Sequence, residues 1–455
     1  MNKIKQNKIT FTLILVALAI IFSSLTILSL PVLFNYESKV ALIEKNFYKN
    51  FKIFLNSSGK ISYKPFPKPH LLVENASLNL LKSNRKTELV NTTNLKIYIS
   101  LRDLYLRSFN RIVSASISNS NLEIQISDLD EVRRHLYYNI NKPITFNDCK
   151  IFLRNKKNEV ILISPVKKIS YKINDKNKIK NLTINGKIFG LNYKSEWKRK
   201  YDTPKLSFHI INIFNPKIEF KNKFESIDRK KFNIHSNIAY LQDKMEYNIQ
   251  FQNGIIDISS PNKNKTNFNI KSRIQLNPFY FNGSLIIKNK KIDNLIDNIL
   301  FNLMAYNEDY LGNFNGELNI KFEELNNKLI KKGEINFNII EKKTDLENAR
   351  FVLDKIGFIK SNLSFEADNG FIKFISKNEL NIENYIEFAK VFQISTKKIK
   401  NINKIYFDLE RNIGQKDFIL SNIKINNIEN TEKSNEVFLV KNIQNLRSHI
   451  RKVID

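Results

Sequence analysis

Hydrophobic and polar positions divide the chain into one long apolar segment and a much longer remainder in which they alternate. The apolar segment runs from Ile9 to Leu30, carries no charged residue and is followed by Pro31. About 22 helical residues, each rising about 1.5 Å, are enough to cross the hydrocarbon core of a bilayer, about 30 Å thick. We therefore predict a transmembrane helix over residues 9–30, with a cytoplasmic tail over residues 1–8.

The basic residues before this segment predict its orientation. Lys3, Lys5 and Lys8 precede the apolar run, and positive charge beside a first span keeps that flank in the cytoplasm. The rest of the chain is then expected on the other side of the membrane. A cleaved signal peptide is the alternative, but its apolar region is usually about 7–15 residues and ends in a small-x-small site. The run here is longer and no Ala-x-Ala follows it, which favours a retained anchor.

The segment from Tyr36 to Leu55 has the period of an amphipathic helix. Its apolar residues recur every three or four positions, at Val40, Ile43, Phe47, Phe51 and Phe54. The turn-forming residues Asn56 to Gly59 predict the end of this helix. Two roles are open: a helix that caps a sheet, which we favour, or a helix that lies on the outer leaflet.

A proline-rich stretch follows at Gly59. Pro65, Pro67 and Pro69 occupy alternate positions, where they remove backbone donors and keep the chain extended. This pattern excludes an interior strand and predicts a strand that turns a corner through a proline kink into the next strand.

Beyond this stretch the dominant period is two, which is typical of strands with one apolar face. The alternating apolar residues include Leu122, Ile124 and Ile126; Ile169, Tyr171 and Ile173; Leu182 and Ile184; Leu318, Ile320 and Phe322; Ile335, Phe337 and Ile339; Leu363, Phe365 and Ala367; and Ile405, Phe407 and Leu409. Asn-Gly pairs at 185–186, 253–254 and 282–283 predict hairpin turns. An antiparallel meander is the expected topology.

Three segments interrupt this alternation with a helical period. They are Asp128 to Asn139, Lys291 to Leu311 and the C-terminal residues Lys441 to Asp455. Asp128 is suited to cap the first of them. The third places Ile443, Leu446, Ile450 and Val453 on one side, which predicts a helix that closes the end of the sheet.

The order of these elements resembles the start of the AsmA family of envelope proteins in Gram-negative bacteria. The matching features are an apolar helix, a short helix, the pattern Gly59-x-Ile61-x-Tyr63-x-Pro65-x-Pro67-x-Pro69, and a strand followed by Ser100-Leu101-x-x-Leu104. The first 130 residues or so carry the match, and it extends more weakly over the rest. The resemblance implies an N-terminal β region over residues 31–290 and a C-terminal β region over residues 291–455, both periplasmic, with a single-pass anchor in the inner membrane.

The formal net charge of +30 would suit a nucleic-acid partner if the cations formed a stripe or a tail. They are instead scattered along the whole chain, no nucleic-acid motif accompanies them, and the predicted orientation points away from the cytoplasm. We therefore expect no nucleic-acid partner. Attraction to anionic lipid head groups remains a weaker alternative use of the charge.

Residues with catalytic or ligand-binding chemistry do not converge in the sequence. The five histidines, His70, His135, His209, His235 and His449, have no metal-ligand spacing, and no nucleophile elbow or phosphate-binding glycine loop is present. Cys149 is the only cysteine, so no disulfide can form within the chain. The sequence predicts neither an enzyme nor a bound cofactor or metal.

In a long sheet with one apolar face, that face must either be covered by another layer or serve as a binding surface. The sheet either closes on itself as a sandwich or barrel, or curls into an open groove that shields acyl chains from water. We predict a mainly β fold in which an N-terminal transmembrane helix precedes an elongated, curled antiparallel sheet with a few capping or interrupting helices. The candidate groove residues are Leu318, Ile320, Phe322, Ile335, Phe337 and Ile339, each of which would equally suit a core.

The AsmA resemblance implies a function for such a groove. Proteins of this family are related to bridge-like lipid transfer proteins, so we expect transport of phospholipid between inner and outer membrane, with a possible partner at the outer membrane. The alternative is an envelope assembly or scaffold factor that influences the targeting or assembly of outer-membrane proteins without carrying lipid, binding through exposed sheet edges.

Overall fold

The structure is a computed structural model that describes most of the chain. The described residues are 2–82, 85–135, 140–174, 179–188, 190–200, 206–214, 217–227, 231–240, 243–261, 267–288, 315–325, 329–340, 343–368, 371–412, 417–426, 437–441 and 443–454. Within them, the 27 strands are linked by backbone hydrogen bonds into one sheet. The predicted mainly β class with an N-terminal apolar helix is confirmed.

Helices are few. They are α1 (Asn2–Ser29), α2 (Val40–Phe51), α3 (Leu101–Tyr105), α4 (Leu129–Arg134), α5 (Tyr385–Phe392), α6 (Thr396–Ile399) and α7 (Ile443–Ile454), with 3₁₀ segments at Leu30–Leu33, Glu37–Lys39 and Ile126–Asp128. The first strands are β1 (Phe54–Ser57), β2 (Ile61–Lys64), β3 (His70–Val73), β4 (Ala76–Lys82), β5 (Arg85–Thr92), β6 (Leu95–Ile99), β7 (Ile112–Ser118), β8 (Ser120–Gln125), β9 (Ile144–Arg154), β10 (Val160–Asn174), β11 (Ile179–Ile188) and β12 (Leu191–Lys200).

The remaining strands begin near residue 206. They are β13 (Leu206–Ile213), β14 (Ile218–Ser226), β15 (Lys231–Tyr240), β16 (Asp243–Gln252), β17 (Ile255–Ser259), β18 (Phe268–Leu276), β19 (Phe279–Lys288), β20 (Asn315–Glu323), β21 (Ile330–Ile340), β22 (Lys343–Leu353), β23 (Gly357–Asp368), β24 (Phe371–Ile382), β25 (Lys404–Asn412), β26 (Phe418–Ile425) and β27 (Phe438–Val440). The chain divides into unit 1 (Met1–Phe152, Pro165–Gly186 and Lys194–Pro204) and unit 2 (Leu153–Ser164, Lys187–Tyr193 and Lys205–Asp455).

The N-terminal helix α1 continues into the 3₁₀ segment at Leu30–Leu33. Among the described residues, Leu13–Leu33 is the one helical stretch long and apolar enough to cross a membrane, and within it only Pro31 is buried. The predicted helix between Ile9 and Leu30 is therefore present.

In unit 1, α2 packs its apolar side into the core. Ile43, Phe47 and Phe51 are completely buried, which confirms that this helix covers the sheet. The predicted end of the helix was wrong. Lys52 adopts the left-handed conformation that ends α2, and Phe54 already belongs to β1.

The proline stretch forms a hairpin. β2 pairs antiparallel with β3, and Lys64 lies opposite His70, so that the segment containing Pro65, Pro67 and Pro69 reverses the chain. The chain therefore reverses its direction at this stretch, whereas a corner was predicted. Gly59 precedes it where the backbone passes very close to Glu74: a Cβ at Gly59 would lie 2.0 Å from the Glu74 carbonyl oxygen.

Two sets of strands build unit 1. β1, β4, β5 and β8 pair in that order, and β2, β3, β6 and β7 pair in that order. β7 then pairs in parallel with β9. Their buried apolar residues belong to one core cluster with α2.

In unit 2, consecutive strands pair antiparallel from β13 to β19 and again from β20 to β27. The exception is the parallel pair of β19 and β20. A parallel connection needs a crossover of a dozen or more residues, and residues 289–314 lie between these strands. The two parallel pairs, one in each unit, depart from the predicted meander.

The Asn-Gly prediction holds at one of its three positions. Asn253 and Gly254 have φ of 52° and 80° and form the turn between β16 and β17. The other two pairs lie inside β11 and β19, so the predicted turns there were wrong. At Gly283 the Cβ position lies 3.2 Å from Ser272 and 3.3 Å from Leu318, which indicates close packing between strands.

The predicted helical segments have different outcomes. The C-terminal helix is confirmed as α7: Ile450 and Val453 are buried in a cluster with β26 and β27. α4 begins after Asp128 as predicted, but the Asp128 side chain makes no capping hydrogen bond. The predicted continuation at residues 136–139 lies outside the described residues. The segment 291–311 also lies outside them.

Candidate apolar binding face

Alternation along each strand places every second side chain of unit 2 on a common face. Residues that lie opposite each other on paired strands share this face and form rows across the sheet. One such row crosses β15 to β21. It consists of Phe232, Phe251, Ile256, Ile274, Phe281, Gly316 and Ile339. Apart from Gly316, each member is half-buried; we call this set the accessible row.

A second row on the same face is closed to solvent. It crosses β18 to β21 and consists of Phe268, Ile287, Phe322 and Gly333. All four are buried, and we call them the buried row. On the same four strands the accessible row lies about six residues, or about 20 Å, from the buried row. The face of unit 2 therefore changes from a closed core near one end of these strands to a partly accessible apolar surface near the other.

The six residues predicted from the sequence fall on both parts of this face. Ile320, Phe322, Ile335 and Phe337 are between 1% and 6% exposed and belong to the core cluster of β15 to β22. Leu318 and Ile339 are half-buried. Leu318 lies opposite Phe337, and Ile320 lies opposite Ile335, so β20 and β21 bring the predicted residues together.

The opposite face of the same strands is charged. Lys221 and Glu219 are 2.8 Å apart on β14, and Arg273 of β18 lies 2.7 Å from Asp257 of β17. These exposed ion pairs contribute little stability. They show instead which face of the sheet meets water, and the apolar rows lie on the other one.

Aromatic rings extend the apolar surface along one edge. The rings of Phe232 and Phe251 stack with centroids 4.5 Å apart, and Phe224 lies 6.2 Å from Phe232. Such offset or stacked pairs contribute about 0.5–1.5 kcal/mol beyond the burial of area. They form an aromatic cluster across β14 to β16 on this face.

A buried polar group interrupts this face near β13. Asn222 lies opposite His209 of β13 and opposite Ser236 of β15 on the paired strands. Each of these three side chains is less than 10% exposed. Asn222 Nδ2 is 3.4 Å from His209 Nδ1. Burial lowers the pKa of His209 to about 3, so this ring is neutral at physiological pH and its Nδ1 accepts from the amide.

Acid is expected to destabilise unit 2 through His209. The unfolded histidine takes up a proton near its ordinary pKa of 6.5, whereas the folded one does so only near 3. The free energy of unfolding should be constant above about pH 7. It should then fall by about 1.4 kcal/mol for each pH unit between about pH 6 and pH 3, and level off below that range.

This pH dependence can be measured from urea midpoints, followed by far-UV circular dichroism of the full chain. The variant His209→Gln should lose the part of the dependence that His209 contributes and so be less steep than the parent between about pH 6 and pH 3. His70 and His135, whose pKa values are also lowered by burial, still contribute. His235→Gln, which changes an exposed histidine on β15, is the matched control and should keep the parent profile. Equal profiles for parent and His209→Gln would contradict the assignment.

The remaining residues with reactive side chains lie apart. Within the described residues, no three His, Cys, Asp or Glu side chains are close enough to hold a metal ion. Cys149 is buried in unit 1, and burial raises the pKa of its thiol to about 11. His70 is buried beside the Lys68 carbonyl oxygen at 2.7 Å.

Apart from Ile339, sequence reasoning did not single out the accessible row, although its signal was present. The segment Met245 to Phe251 alternates apolar and polar residues, as do Ile256 to Ile258 and, except at Ser272, Phe268 to Ile274. Comparison with protein-family models, with curated proteins and with solved structures finds no match for this chain.

Proposed function

We propose that this protein is a membrane-anchored lipid carrier that holds the acyl chains of phospholipids against the accessible row of unit 2. The accessible row is the observation that carries the proposal. It presents large apolar side chains that are only half-buried, and contiguous apolar surface of this kind marks a binding surface. Each buried methylene group contributes about 0.8 kcal/mol, so acyl chains are suitable occupants.

The length of the row supports the same class of ligand. Seven strands at about 4.8 Å spacing extend over about 30 Å, the thickness of a bilayer core in which two acyl chains lie end to end, so the row is long enough to hold a single acyl chain over its full length. The opposite face of these strands is charged, so it remains in contact with water.

Two further features support a position in a bacterial envelope. The segment Leu13–Leu33 is long and apolar enough to anchor the chain, and Lys3, Lys5 and Lys8 favour a cytoplasmic N terminus. The resemblance of the first 130 residues to the AsmA family adds the inner membrane as the anchoring site and the periplasm as the location of the bulk. In this proposal, phospholipid moves between the inner and outer membranes.

A photocrosslinking residue tests what lies on the accessible row. Phe251→p-benzoylphenylalanine in the full chain, irradiated in Gram-negative cells, should give an adduct heavier by one phospholipid, detected by intact-protein mass spectrometry. The large ring of the probe resembles that of Phe251, so the site should tolerate it.

The neighbouring position is a matched control. Gln252→p-benzoylphenylalanine places the same probe on the opposite, exposed face of β16 and should give several-fold less lipid adduct. Discrete adducts with other proteins from position 251, without lipid, would favour the scaffold function. Equal lipid adducts at both positions would show unspecific contact and would overturn the assignment of this face.

A further inference from the structure

Three tyrosine side chains converge on the end of α1. Tyr63 of β2 donates to the Leu28 carbonyl oxygen at 3.0 Å, and Tyr36 donates to that of Pro31 at 2.7 Å. Tyr105 of α3 donates to the Ile27 carbonyl oxygen. The last carbonyl groups of a helix have no partner within it, and here Tyr63 and Tyr105 donate to two of them. Tyr36 adds a second donor to the Pro31 carbonyl oxygen, which already accepts from the Phe34 N–H at 3.2 Å. The three side chains, from three separate segments of unit 1, together hold the helix end in place.

These segments all lie at one end of the strands of unit 1. β3 runs antiparallel to β6, and the rings of His70 and Tyr98 are 5.5 Å apart. The proline hairpin that precedes β3 and the helix α3 that follows β6 are therefore neighbours. Ser100 N donates to the Arg111 carbonyl oxygen at 3.3 Å, which brings the loop after α3 to the same end, where α1 leaves unit 1.

The surface around the helix end is both apolar and basic. Its large apolar side chains are Leu33, Phe66, Leu101 and Leu106, with exposed fractions of 82%, 60%, 39% and 65%. Its exposed cations are Lys64, Lys68, Arg102, Arg107 and Arg111. We call these nine residues the collar.

The charge of the collar is of one sign. The only acidic residue in the segments 62–70 and 100–111 is Asp103, which is 7% exposed and accepts hydrogen bonds from Ser100 and Ser108. Five exposed cations therefore face one acidic residue in these two segments, and that residue, Asp103, is buried and interacts with Arg102 and Arg111, so the collar keeps an excess of positive charge. Arg107 also lies over the ring of Phe34, 4.6 Å from its centroid.

We propose that the collar inserts into the head-group region of an anionic bilayer and seats unit 1 on the membrane surface. If Leu13–Leu33 crosses the bilayer, the carbonyl groups held by the three tyrosines lie at its boundary. Leu33, Phe66, Leu101 and Leu106 then reach the depth at which apolar side chains partition into the interface. The tyrosines lie where aromatic residues are enriched, and the cations face negative lipid phosphates.

This contact is separate from the acyl-chain binding proposed for unit 2. The collar belongs entirely to unit 1, and its role depends on α1 being in a membrane, not on transport. It also gives the proline hairpin a function, because Pro65, Pro67 and Pro69 hold Phe66 and Lys68 at an exposed tip.

Depth-dependent fluorescence quenching tests the collar. The full chain with Phe66→Cys or Leu106→Cys, labelled with a nitrobenzoxadiazole dye, is reconstituted into phosphatidylcholine vesicles containing about a third phosphatidylglycerol. Cys149 is buried and should remain unlabelled. Spin-labelled lipids should reduce the emission at both collar positions about twofold or more, since both labels lie in the interface.

The control label is placed at the other end of unit 1. Asn121 is exposed, and β7 separates it from Arg111 by about 20 Å. The label at Asn121→Cys should be quenched only slightly. Quenching at positions 66 and 106 that is no stronger than at 121 would overturn the proposal, whether or not lipid is found on the accessible row.

Charge reversal tests the preference for anionic lipid. In the Leu106→Cys background, Lys68→Glu with Arg102→Glu should remove the difference in quenching between vesicles with and without phosphatidylglycerol. Lys60→Glu with Lys150→Glu makes the same charge change at exposed positions away from the collar and should retain that difference. If both pairs behave alike, the collar cations do not select anionic lipid.

Discussion

Phe322→Ala is expected to lower the free energy of unfolding by about 3–5 kcal/mol. Phe322 is 1% exposed and lies between Ile287 and Gly333 in the buried row. Removing its ring takes away apolar contacts and leaves a cavity that neighbouring strands, held by their backbone hydrogen bonds, fill only in part. Hydrogen–deuterium exchange of peptides from β20 and β21, measured in the full chain, reports this loss directly.

Leu318→Ala on the same strand and the same face is the matched control. Leu318 is half-buried, so its truncation should cost about 1–2 kcal/mol, in proportion to the smaller area removed from water. If the two variants lower the free energy of unfolding equally, Phe322 and Leu318 do not differ in burial as described. The distinction between the buried and accessible rows would then be contradicted as well.

Gly316→Ala is expected to lower the free energy of unfolding by about 2–3 kcal/mol. Replacing glycine with alanine usually has the opposite effect, because alanine restricts the conformations of the unfolded chain. A Cβ at this position would lie 2.3 Å from the Phe281 carbonyl oxygen and 2.1 Å from its ring. The carbonyl belongs to the paired strand β19 and cannot move without disturbing the ladder. Urea midpoints of the full chain measure the cost.

Gly333→Ala on β21 separates this backbone clash from a clash with a side chain. Its Cβ would lie 2.6 Å from the ring of Phe351 but 3.5 Å from the nearest backbone atom, the Arg350 carbonyl oxygen. A ring can turn away, so we expect a cost of about 1 kcal/mol or less. If Gly333→Ala lowers the free energy of unfolding more than Gly316→Ala does, the contact of the new Cβ with the backbone is not what determines the destabilisation.

Elements with strong local signals could be predicted from the sequence. The apolar run of α1, the helical face of α7 and the proline hairpin each follow from the residues within the segment itself. The helix α5 was missed although a signal existed: Asn384 Oδ1 accepts from the backbone N–H groups of Ile386 and Glu387 at 3.1 Å, as a capping residue does. Its position between two strands of an otherwise alternating region obscured that signal.

Features set by pairing partners could not be predicted in the same way. Asn185-Gly186 and Asn282-Gly283 have the composition of turns. Nevertheless, the pairing of β18 with β19 continues through 282–283, and 185–186 lies opposite a shift in register between β10 and β11. The same limit applies to the candidate binding face. Alternation identifies the apolar face of β20 and β21, but burial at Phe322 and partial exposure at Ile339 depend on register and on the layers above each position.

The three tyrosine hydrogen bonds at the end of α1 have a mechanical consequence. A transmembrane helix adapts to bilayers of different thickness by changing its tilt. Tyr36, Tyr63 and Tyr105 tie the end of α1 to unit 1, so we expect a change in the tilt of the helix to turn that unit as well. If Leu13–Leu33 crosses a bilayer, as we propose, the thickness of the bilayer then affects the orientation of unit 1 relative to the membrane surface.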